Sequence, residues 1–273
     1  MQLPPLVFVT IARPQSAIRL IESIRAYYPS MPVHMIEQVD GPSELEAVCR
    51  DHDVTRTAVP FDTGLSVCRN LAVDQIESDY VIIADDDFVF TEHTQWDMAL
   101  RFLAAHEEVV FLGGQLDPLP TIERQLAFSR ARNLVIDETG RGLLLIPATG
   151  FPDSAVTFEG ETFHFCDMVP HWGIAKTSVL KQVRWDERFR IGGEHEDFFL
   201  RLKQELPGSK VAYSSCIRAE HRRNTNEIYE ALRKRDDWIE LFSKKWNLEY
   251  MLPVGGSLRF FKNYGPSVVL WRY

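Results

Sequence analysis

The first half of the chain alternates strand-like and helix-like segments, and this alternation restricts the fold more than any other feature. LVFVTI (6–11), VHMIEQV (33–39) and YVIIA (80–84) are apolar, β-branched runs of the kind found in strands that are buried on both faces. A shorter strand is predicted near Thr57–Pro60. Segments with helical spacing of apolar residues separate these strands, and such spacing implies right-handed crossovers. We therefore predict an α/β fold with a mainly parallel central sheet.

The second half of the chain has a less regular pattern. Strands are predicted at 109–114 (VVFLGG), 123–137, 141–147 and 210–215, and helices at 176–183 and 194–205. A turn at Glu138-Thr139-Gly140 is expected to join the second and third of these strands. The pattern indicates a nucleotide-binding α/β half followed by a mixed half, packed as one unit.

Composition and charge are those of a globular protein with an uneven charge distribution. With 273 residues, 45% of them hydrophobic, the chain is long enough to bury a full core, which excludes a disordered or fibrous protein. The formal net charge is −9. Residues 218–273 contain 11 Lys and Arg against 7 Asp and Glu, so this end carries +4 and the preceding part −13. The basic end is suited to an anionic surface or substrate.

The cysteines and the N-terminus favour a cytoplasmic setting. The four cysteines are far apart and form no C-x-x-C pair, so neither a structural zinc site nor a dense disulfide framework is indicated. MQLPPLVFVTIARP has no basic region before its short apolar stretch, and no segment approaches about twenty uninterrupted apolar residues. We expect a soluble, cytoplasmic protein without a transmembrane segment.

Three consecutive carboxylates, Asp85, Asp86 and Asp87, follow the predicted strand YVIIA. Alternation along an extended segment places Asp85 and Asp87 on one side and turns Asp86 away. Ligands of open parallel sheets bind at the carboxyl ends of the strands, and two carboxylates there suit a Mg²⁺ or Mn²⁺ ion that also holds a diphosphate. An isolated D-x-D is, however, more often a solvated acidic turn or a helix N-cap. Both interpretations stay open at this point.

A second candidate segment is GLSVCRNLAV (64–73), in which Arg69 and Asn70 follow Gly64 at the start of a predicted helix. An Arg at such a corner can bind phosphate through two hydrogen bonds, and an Asn can bind a base or a ribose. An ordinary amphipathic helix with a solvated Arg explains the same residues equally well.

The segment RIGGEHEDFFLRL (190–202) places four titratable residues directly after a glycine pair, where a helix begins. The helix dipole favours acidic residues at this position, which is the structural explanation. The functional alternative is a general base beside an acceptor hydroxyl, and four titratable groups in a row exceed what capping needs. His221 follows the predicted strand 210–215; a lone His is more often structural, and it is of interest here only as a further ligand of the predicted metal site.

Together these segments resemble a known family. VTIARP, Asp40 after the second strand, GLSVCRN, ADDD and GEHEDFFLRL occur in the order and at the approximate spacing of the inverting, metal-dependent nucleotide-sugar glycosyltransferases of the GT-A fold, glycosyltransferase family 2. FDTGLSVCRNLAVDQIESDYVIIADDDFVFTEHT resembles the donor-site segment of the ganglioside-type β-1,4-N-acetylgalactosaminyltransferases in particular. VVFLGGQLD, FHFCDMVPHWGIAKTSVLKQVRWDERF and HEDFF resemble their later segments, so that the likeness spans residues 6–222.

The resemblance implies a domain organisation and a donor site. Residues 1–222 would form a GT-A domain with a Rossmann-like nucleotide-sugar-binding half (1–115) and an acceptor-binding, catalytic half (116–222). Residues 223–273 would be a basic, aromatic extension packed on the same unit. The residues implied in nucleotide-sugar binding are Thr10, Arg13, Asp40, Arg69, Asn70, Asp85, Asp86 as a support, and Trp172 with its neighbour His171. The implied ligands of Mn²⁺ or Mg²⁺ are Asp87, Asp85 and His221.

The resemblance also places the catalytic base within Glu194–Asp197. The family's E-D-x-D pattern has its base at the second position, which is His195 in this sequence. That departure leaves His195 and Glu196 as the candidates, with Glu194 and Asp197 in the flanking acidic positions.

The expected function is transfer of a sugar, with inversion, from a UDP-hexose or UDP-N-acetylhexosamine to a hydroxyl of a glycan or lipid-linked glycan. The basic, aromatic end would then contact a membrane surface peripherally. One alternative is a phage-type transferase that acts on hydroxymethylated pyrimidines in DNA, although the acidic remainder disfavours broad duplex binding. A second alternative is a nucleotidyltransferase or a non-catalytic nucleotide-binding protein, because nucleotidyltransferases also pair carboxylates around a metal.

Overall fold

The strands predicted in the first half form the parallel part of a ten-stranded sheet. This computed structural model describes residues 3–119, 131–150, 154–253 and 259–260. The elements of the first half are β1 (Leu6–Ile11), α1 (Pro14–Tyr27), β2 (Val33–Gln38), α2 (Leu45–Asp51), β3 (Val54–Val59), α3 (Leu65–Asp74) and β4 (Tyr80–Asp85). Strands β3, β2, β1 and β4 are adjacent in that order and parallel throughout. The prediction of an α/β fold is confirmed, and β1, β2 and β4 lie where the apolar runs place them, whereas β3 begins at Val54, three residues before the predicted start.

The second half adds antiparallel and parallel strands to the same sheet. Its elements are β5 (Phe88–Thr94), α4 (Trp96–Ala105), β6 (Val109–Leu119), β7 (Arg132–Ile136), β8 (Gly142–Pro147), β9 (Ala155–Phe158), β10 (Glu161–Cys166), β11 (Gly173–Lys176), α5 (Thr177–Val183), α6 (Glu194–Glu205) and β12 (Lys210–Arg222). The order of the ten-stranded sheet is β3-β2-β1-β4-β11-β6-β12-β10-β9, with β5 paired to β12, whereas β7 and β8 belong to a second, four-stranded sheet. Strand β11 is antiparallel to both β4 and β6, whereas β12 is parallel to β6.

Several details differ from the sequence-based expectations. The strand predicted at 210–215 continues to Arg222, so His221 lies inside β12 rather than after it. The predicted hairpin around Glu138-Thr139-Gly140 is present as β7 and β8, but β7 begins at Arg132, and residues 123–130 lie outside the described residues. Elements β5, α4, β9, β10 and β11 are not predicted, because their short or mixed patterns carry no clear period.

Strand β5 positions the metal-site candidates. It leaves β4 through the turn at Asp86-Asp87 and pairs antiparallel with the end of β12, where His221 is opposite Phe88. The Arg222 amide donates to the Asp87 carbonyl at 2.9 Å. The backbone therefore holds His221 beside the aspartate turn, although 134 positions of sequence separate His221 from Asp87.

The C-terminal segment packs on the rest of the molecule. It contains α7 (Glu227–Arg233), α8 (Asp237–Trp246), β13 (Tyr250–Pro253) and β14 (Arg259–Phe260). Phe242 of α8 is fully buried in the hydrophobic cluster on one side of the sheet, and β13 pairs in parallel with β8. Within the part of the chain that the structure describes, no helix is both long and apolar enough to cross a membrane.

Candidate active site

A cavity of about 560 Å³ lies at the carboxyl ends of β1, β2 and β4. Its walls come from four parts of the chain: the strand ends of the first half, residues of the mixed half between Leu116 and His171, the start of α6, and the C-terminal segment with α7. Ligands of open α/β sheets bind at this edge, where the strands end. The cavity therefore collects segments that are far apart in sequence.

The three aspartates after β4 have different partners. The Thr10 hydroxyl donates to Asp86 Oδ2 at 2.7 Å, and the Arg13 guanidinium donates both to Asp86 Oδ1 and, at 2.8 Å, to Asp87 Oδ2. Asp85 pairs instead with Arg69, whose Nη2 lies 3.0 Å from Oδ1. The buried Arg13 guanidinium thus bridges Asp86 and Asp87, and the Arg69 guanidinium pairs with Asp85.

The environment separates the pKa values of the adjacent carboxyls Asp86 and Asp87. Burial raises the pKa of Asp86, although the Arg13 charge opposes this. Burial acts in the same direction on Asp87, but the hydrogen bond from His221 and the charge of Arg13 outweigh it and hold the pKa of Asp87 below its usual value. Asp87 is therefore the more strongly ionised member of the pair.

Arg69 connects the two sides of the cavity. Its guanidinium is almost fully buried and reaches Asp85 on one side and, at 3.4 Å, Glu194 Oε1 on the other. It also lies against the Trp185 ring, 5.8 Å from the centroid. The strand-end carboxylate and the start of α6 are thus held by one side chain.

Glycine is required at the turn that leads into α6. Gly192 and Gly193 have φ values of +90° and +74°, and a Cβ at either position would lie 2.7 Å from the Trp238 indole. This turn brings Glu194, His195 and Glu196 to the cavity wall.

Three polar atoms in this wall have no hydrogen-bond partner among the described residues: Glu194 Oε2, His195 Nδ1 and His171 Nε2. The two imidazole rings meet edge to face with centroids 3.7 Å apart. Burial and the Arg69 charge lower the pKa of His195 to about 3, and the same causes hold the pKa of His171 well below its usual value. Both rings are neutral at pH 7, so their unpartnered nitrogens are suited to hydrogen bonding with a polar ligand.

The structure brings two of the three predicted metal ligands close together. Asp87 Oδ2 and His221 Nε2 lie 3.4 Å apart. Two ligand atoms at about 2.1 Å from one ion are separated by roughly 3.0 to 3.5 Å, so this pair fits a shared divalent cation. Asp85, the third predicted ligand, is not clustered with them; among the described residues no three His, Cys, Asp or Glu side chains form a group that could hold a metal. An ion at Asp87 and His221 would take its other ligands from water or a diphosphate.

Two predicted site residues, Asn70 and Asp197, lie behind the cavity wall. The Asn70 side chain is buried, donates to the Trp185 carbonyl at 2.9 Å and accepts from the Trp185 amide at 2.9 Å. Asp197 has no exposed surface and accepts from Lys245 and from the Trp246 indole at 2.9 and 2.8 Å. Neither side chain reaches the cavity, because folding uses both of them to join α3 and α6 to neighbouring segments.

Three further predicted residues also lie outside the lining of the cavity. Trp172 is fully buried among Phe88, Phe90 and Trp96, and its indole donates to the Ile217 carbonyl. Asp40 is exposed and accepts from the Phe61 amide. The Thr10 hydroxyl donates a hydrogen bond to Asp86. By contrast, the predicted residues Arg13, Arg69, Asp85, Asp86, Asp87, His171, Glu194, His195, Glu196 and His221 all line the cavity.

The sequence indicated a basic, aromatic C-terminal extension but not which of its side chains reach the cavity. Tyr229, Arg233 and Trp238 line the cavity, and the Tyr229 ring stacks on the Arg13 guanidinium at 3.8 Å. Asn226 caps α7 by accepting from the Tyr229 amide at 2.8 Å. An N-cap Asn before helical spacing was a readable signal for α7, but no local signal tells which face of a helix meets a cavity.

The chain is similar to two groups of curated β-1,4-N-acetylgalactosaminyltransferases. It is 31% identical over 185 residues to human beta-1,4 N-acetylgalactosaminyltransferase 1, over 66% of this chain and 32% of the relative. It is 32% identical over 200 residues to mouse beta-1,4 N-acetylgalactosaminyltransferase 2, over 73% of this chain and 36% of the relative. The chain thus spans about a third of the length of these relatives. No protein-family model matches the chain.

Solved structures share the fold at low identity. GalNAc-T7, crystallised with UDP, GalNAc and Mn²⁺, superposes with a TM-score of 0.61 at 11% identity, over 90% of this chain and 55% of that one. Residues 1–349 of S. aureus TarS in complex with UDP give a TM-score of 0.56 at 16% identity, over 89% of this chain and 70% of that one.

Proposed function

Since the chain has the GT-A glycosyltransferase fold and is related to the β-1,4-N-acetylgalactosaminyltransferases, we propose that it is a metal-dependent, inverting glycosyltransferase. It transfers a sugar from a UDP-hexose or UDP-N-acetylhexosamine to a hydroxyl of a glycan or lipid-linked glycan. One observation carries this proposal: a single cavity joins the aspartates after β4 to the acidic start of α6. A sugar transferase needs both ends, because one must hold a leaving diphosphate and the other must activate an acceptor.

At the donor end, Asp87 and His221 would hold a Mn²⁺ or Mg²⁺ ion. The ion, when bound, neutralises the negative charge that develops on the leaving diphosphate. Arg223 and Arg233 are exposed at the same cavity and add positive charge near it. Support for UDP as the nucleotide comes from the two structural neighbours, both crystallised with UDP.

At the acceptor end we assign the base to Glu196. The pKa of His195 is about 3, so its imidazole takes up a proton poorly at neutral pH, whereas an efficient base has a pKa nearer the working pH. Glu194 is held by Arg69, and Asp197 is buried against Lys245. Glu196 is the carboxylate of this run that lines the cavity and is only half-buried. It would accept the proton of the acceptor hydroxyl as that oxygen attacks the anomeric carbon.

Inversion follows from a single displacement at the anomeric carbon. Attack by the acceptor oxygen on the face opposite the leaving diphosphate reverses the anomeric configuration. NMR of the first-formed product from an α-linked UDP-sugar is expected to show a β-linkage. An α-linked product would overturn the single-displacement mechanism.

The mixed half offers an apolar wall for the acceptor. Leu116, Leu145, Met168 and Val169 line that part of the cavity. Apolar side chains of this kind suit the ring faces of a glycan. A DNA acceptor is less compatible with a net charge of −13 over residues 1–217, since duplex binding relies on phosphate neutralisation by basic residues.

A panel of UDP-sugars tests the function directly. We expect UDP release in the presence of Mn²⁺ and its loss with EDTA, with one or a few UDP-sugars preferred. Release of pyrophosphate from nucleoside triphosphates, with no turnover of UDP-sugars, would indicate a nucleotidyltransferase instead. Transfer to hydroxymethylated DNA with a steep dependence on salt would identify the phage-type alternative.

A further inference from the structure

Arg13 contacts the carboxylate to which the proposed function assigns a divalent cation. Its two terminal nitrogens contact Asp86 and Asp87, and Asp87 Oδ2, which accepts from Arg13, is the atom that lies 3.4 Å from His221. Only 7% of the Arg13 side chain is exposed to solvent. A fixed positive charge therefore lies on the carboxylate that the proposed function assigns to the metal.

The C-terminal segment holds Arg13 in this position. The Tyr229 ring covers the guanidinium at 3.8 Å, and Arg13 Nη1 donates to the Asn224 carbonyl at 3.2 Å. The Asn226 side chain donates to the carbonyl of Ala12, a residue whose φ of +54° is unfavourable for an L-amino acid. The segment 224–229 thus fixes both the strained backbone before Arg13 and its side chain.

We propose that Arg13 is a resident counter-cation that competes with the divalent ion for Asp87 and is held there by Tyr229. This inference rests on the proposed function, because it assigns Asp87 to a metal. Two cations on one carboxylate oxygen repel each other, and the repulsion is strong because the group is largely shielded from water. The ion alone would bind weakly until Arg13 releases Asp87.

The diphosphate of a donor gives Arg13 another anionic partner. Binding of UDP would therefore favour release of Asp87, so UDP and the ion would bind with positive coupling that depends on Arg13. UDP raises the affinity for the ion by the same factor as the ion raises the affinity for UDP. The part of this factor that depends on Arg13 is measured as the decrease in the factor when the Arg13 charge is removed.

Mn²⁺ binding without nucleotide, measured at pH 8 by electron paramagnetic resonance of the free ion, tests the proposal. Arg13→Met is expected to bind Mn²⁺ about tenfold more tightly than the wild type, since it removes the competing charge. Arg13→Lys retains the charge and is expected to stay within about threefold of the wild type. An unchanged or weaker affinity in Arg13→Met would overturn the proposal.

Variants at Tyr229 keep the test decisive if Arg13→Met does not fold. Tyr229→Leu removes the ring over the guanidinium and is expected to raise the Mn²⁺ affinity about threefold, whereas Tyr229→Phe keeps the ring and should match the wild type. Equal affinities in Tyr229→Leu and Tyr229→Phe would contradict the proposed role of the ring and overturn the proposal.

The coupling with UDP separates this inference from the proposed function. In the wild type, UDP is expected to raise the Mn²⁺ affinity by a larger factor than in Arg13→Met or Tyr229→Leu. If Mn²⁺ binds to the wild type with UDP but the factor is the same in all variants, only the role of Arg13 fails. If neither the wild type nor any variant binds Mn²⁺, even with UDP, the metal dependence in the proposed function fails as well.

Discussion

Two runs of adjacent titratable residues contribute side chains to the cavity, and their surroundings differ. After β4, arginines pair with all three aspartates: Arg69 with Asp85, and Arg13 with Asp86 and Asp87. At the start of α6 the four positions diverge: Glu194 pairs with Arg69, His195 is neutral, Glu196 is half-buried at the cavity, and Asp197 pairs with Lys245. In the first run the pKa of Asp87 is held low, which suits binding of a cation, whereas the second run places the half-buried Glu196 at the cavity.

Among the substitutions considered, Asp87→Asn at the cation-binding end of the cavity is expected to have the largest effect on turnover. Loss of the proposed ligand is expected to lower Mn²⁺-dependent turnover by about 10³ or more, because metal stabilisation of the leaving group is worth several kcal/mol. Steady-state kinetics with and without EDTA is the measurement.

Asp74→Asn is a matched control for Asp87→Asn, since Asp74 forms an exposed pair with Arg184 far along α3. It is expected to leave turnover within about twofold of the wild type, as exposed ion pairs contribute little. An Asp87→Asn enzyme that stays active and insensitive to EDTA would remove the distinction between the two acidic runs.

Glu196→Gln removes the proposed general base at the acceptor end of the cavity. The value of kcat is expected to fall by about 10² to 10³, because a general base contributes about that much, while the KM for the donor changes little. Glu205→Gln on the same helix serves as the control, since that residue forms an exposed pair with Arg201. A kcat close to the wild-type value in Glu196→Gln would move the base to another group.

Asp197→Asn tests whether that residue is structural. We expect the free energy of unfolding to fall by about 1 to 3 kcal/mol, because Asp197 is fully buried and accepts hydrogen bonds from Lys245 and Trp246. This loss of stability is smaller than the loss expected when a buried charge is left without any partner. The reason is that Lys245 still pairs with Asp186, at 2.7 Å.

Urea unfolding of Asp197→Asn, with Glu240→Gln as the control, supplies the measurement. Glu240 pairs with Lys244 on the exposed face of α8, so Glu240→Gln is expected to leave the free energy of unfolding close to that of the wild type. A fully stable Asp197→Asn enzyme with strongly reduced kcat would instead give Asp197 a catalytic role.

His195→Gln should have the smallest effect and sharpen the contrast with Glu196. With a pKa of about 3, which burial and the Arg69 charge depress, His195 stays neutral at every pH above about 4. The kcat is therefore expected to fall less than about tenfold, with an unchanged profile between pH 5 and 8. Loss of an inflection in that range on substitution would show that His195 titrates there and acts as the base.

Many of the residues at the site could be predicted from the sequence, but the directions of their side chains could not. Alternation predicted that Asp85 and Asp87 share a side with Asp86 turned away, whereas Arg13 joins Asp86 to Asp87, and Asp85 belongs to Arg69. The reason is that Asp86 and Asp87 lie in a turn rather than in the strand, where alternation no longer applies. Trp172 and Asn70 sit within recognisable motifs, yet tertiary packing buries both away from the cavity.

What the sequence determined by itself was the parallel first half and the order in which polar segments reach one edge of the sheet. Apolar, β-branched runs of strand length separated by helical spacing leave few other topologies open. Only the tertiary structure decided which cation each carboxylate receives, that His221 meets Asp87 through the pairing of β5 with β12, and that Tyr229 covers Arg13. Those contacts join residues 16 to 216 positions apart, and no local period or propensity encodes a pairing over such distances.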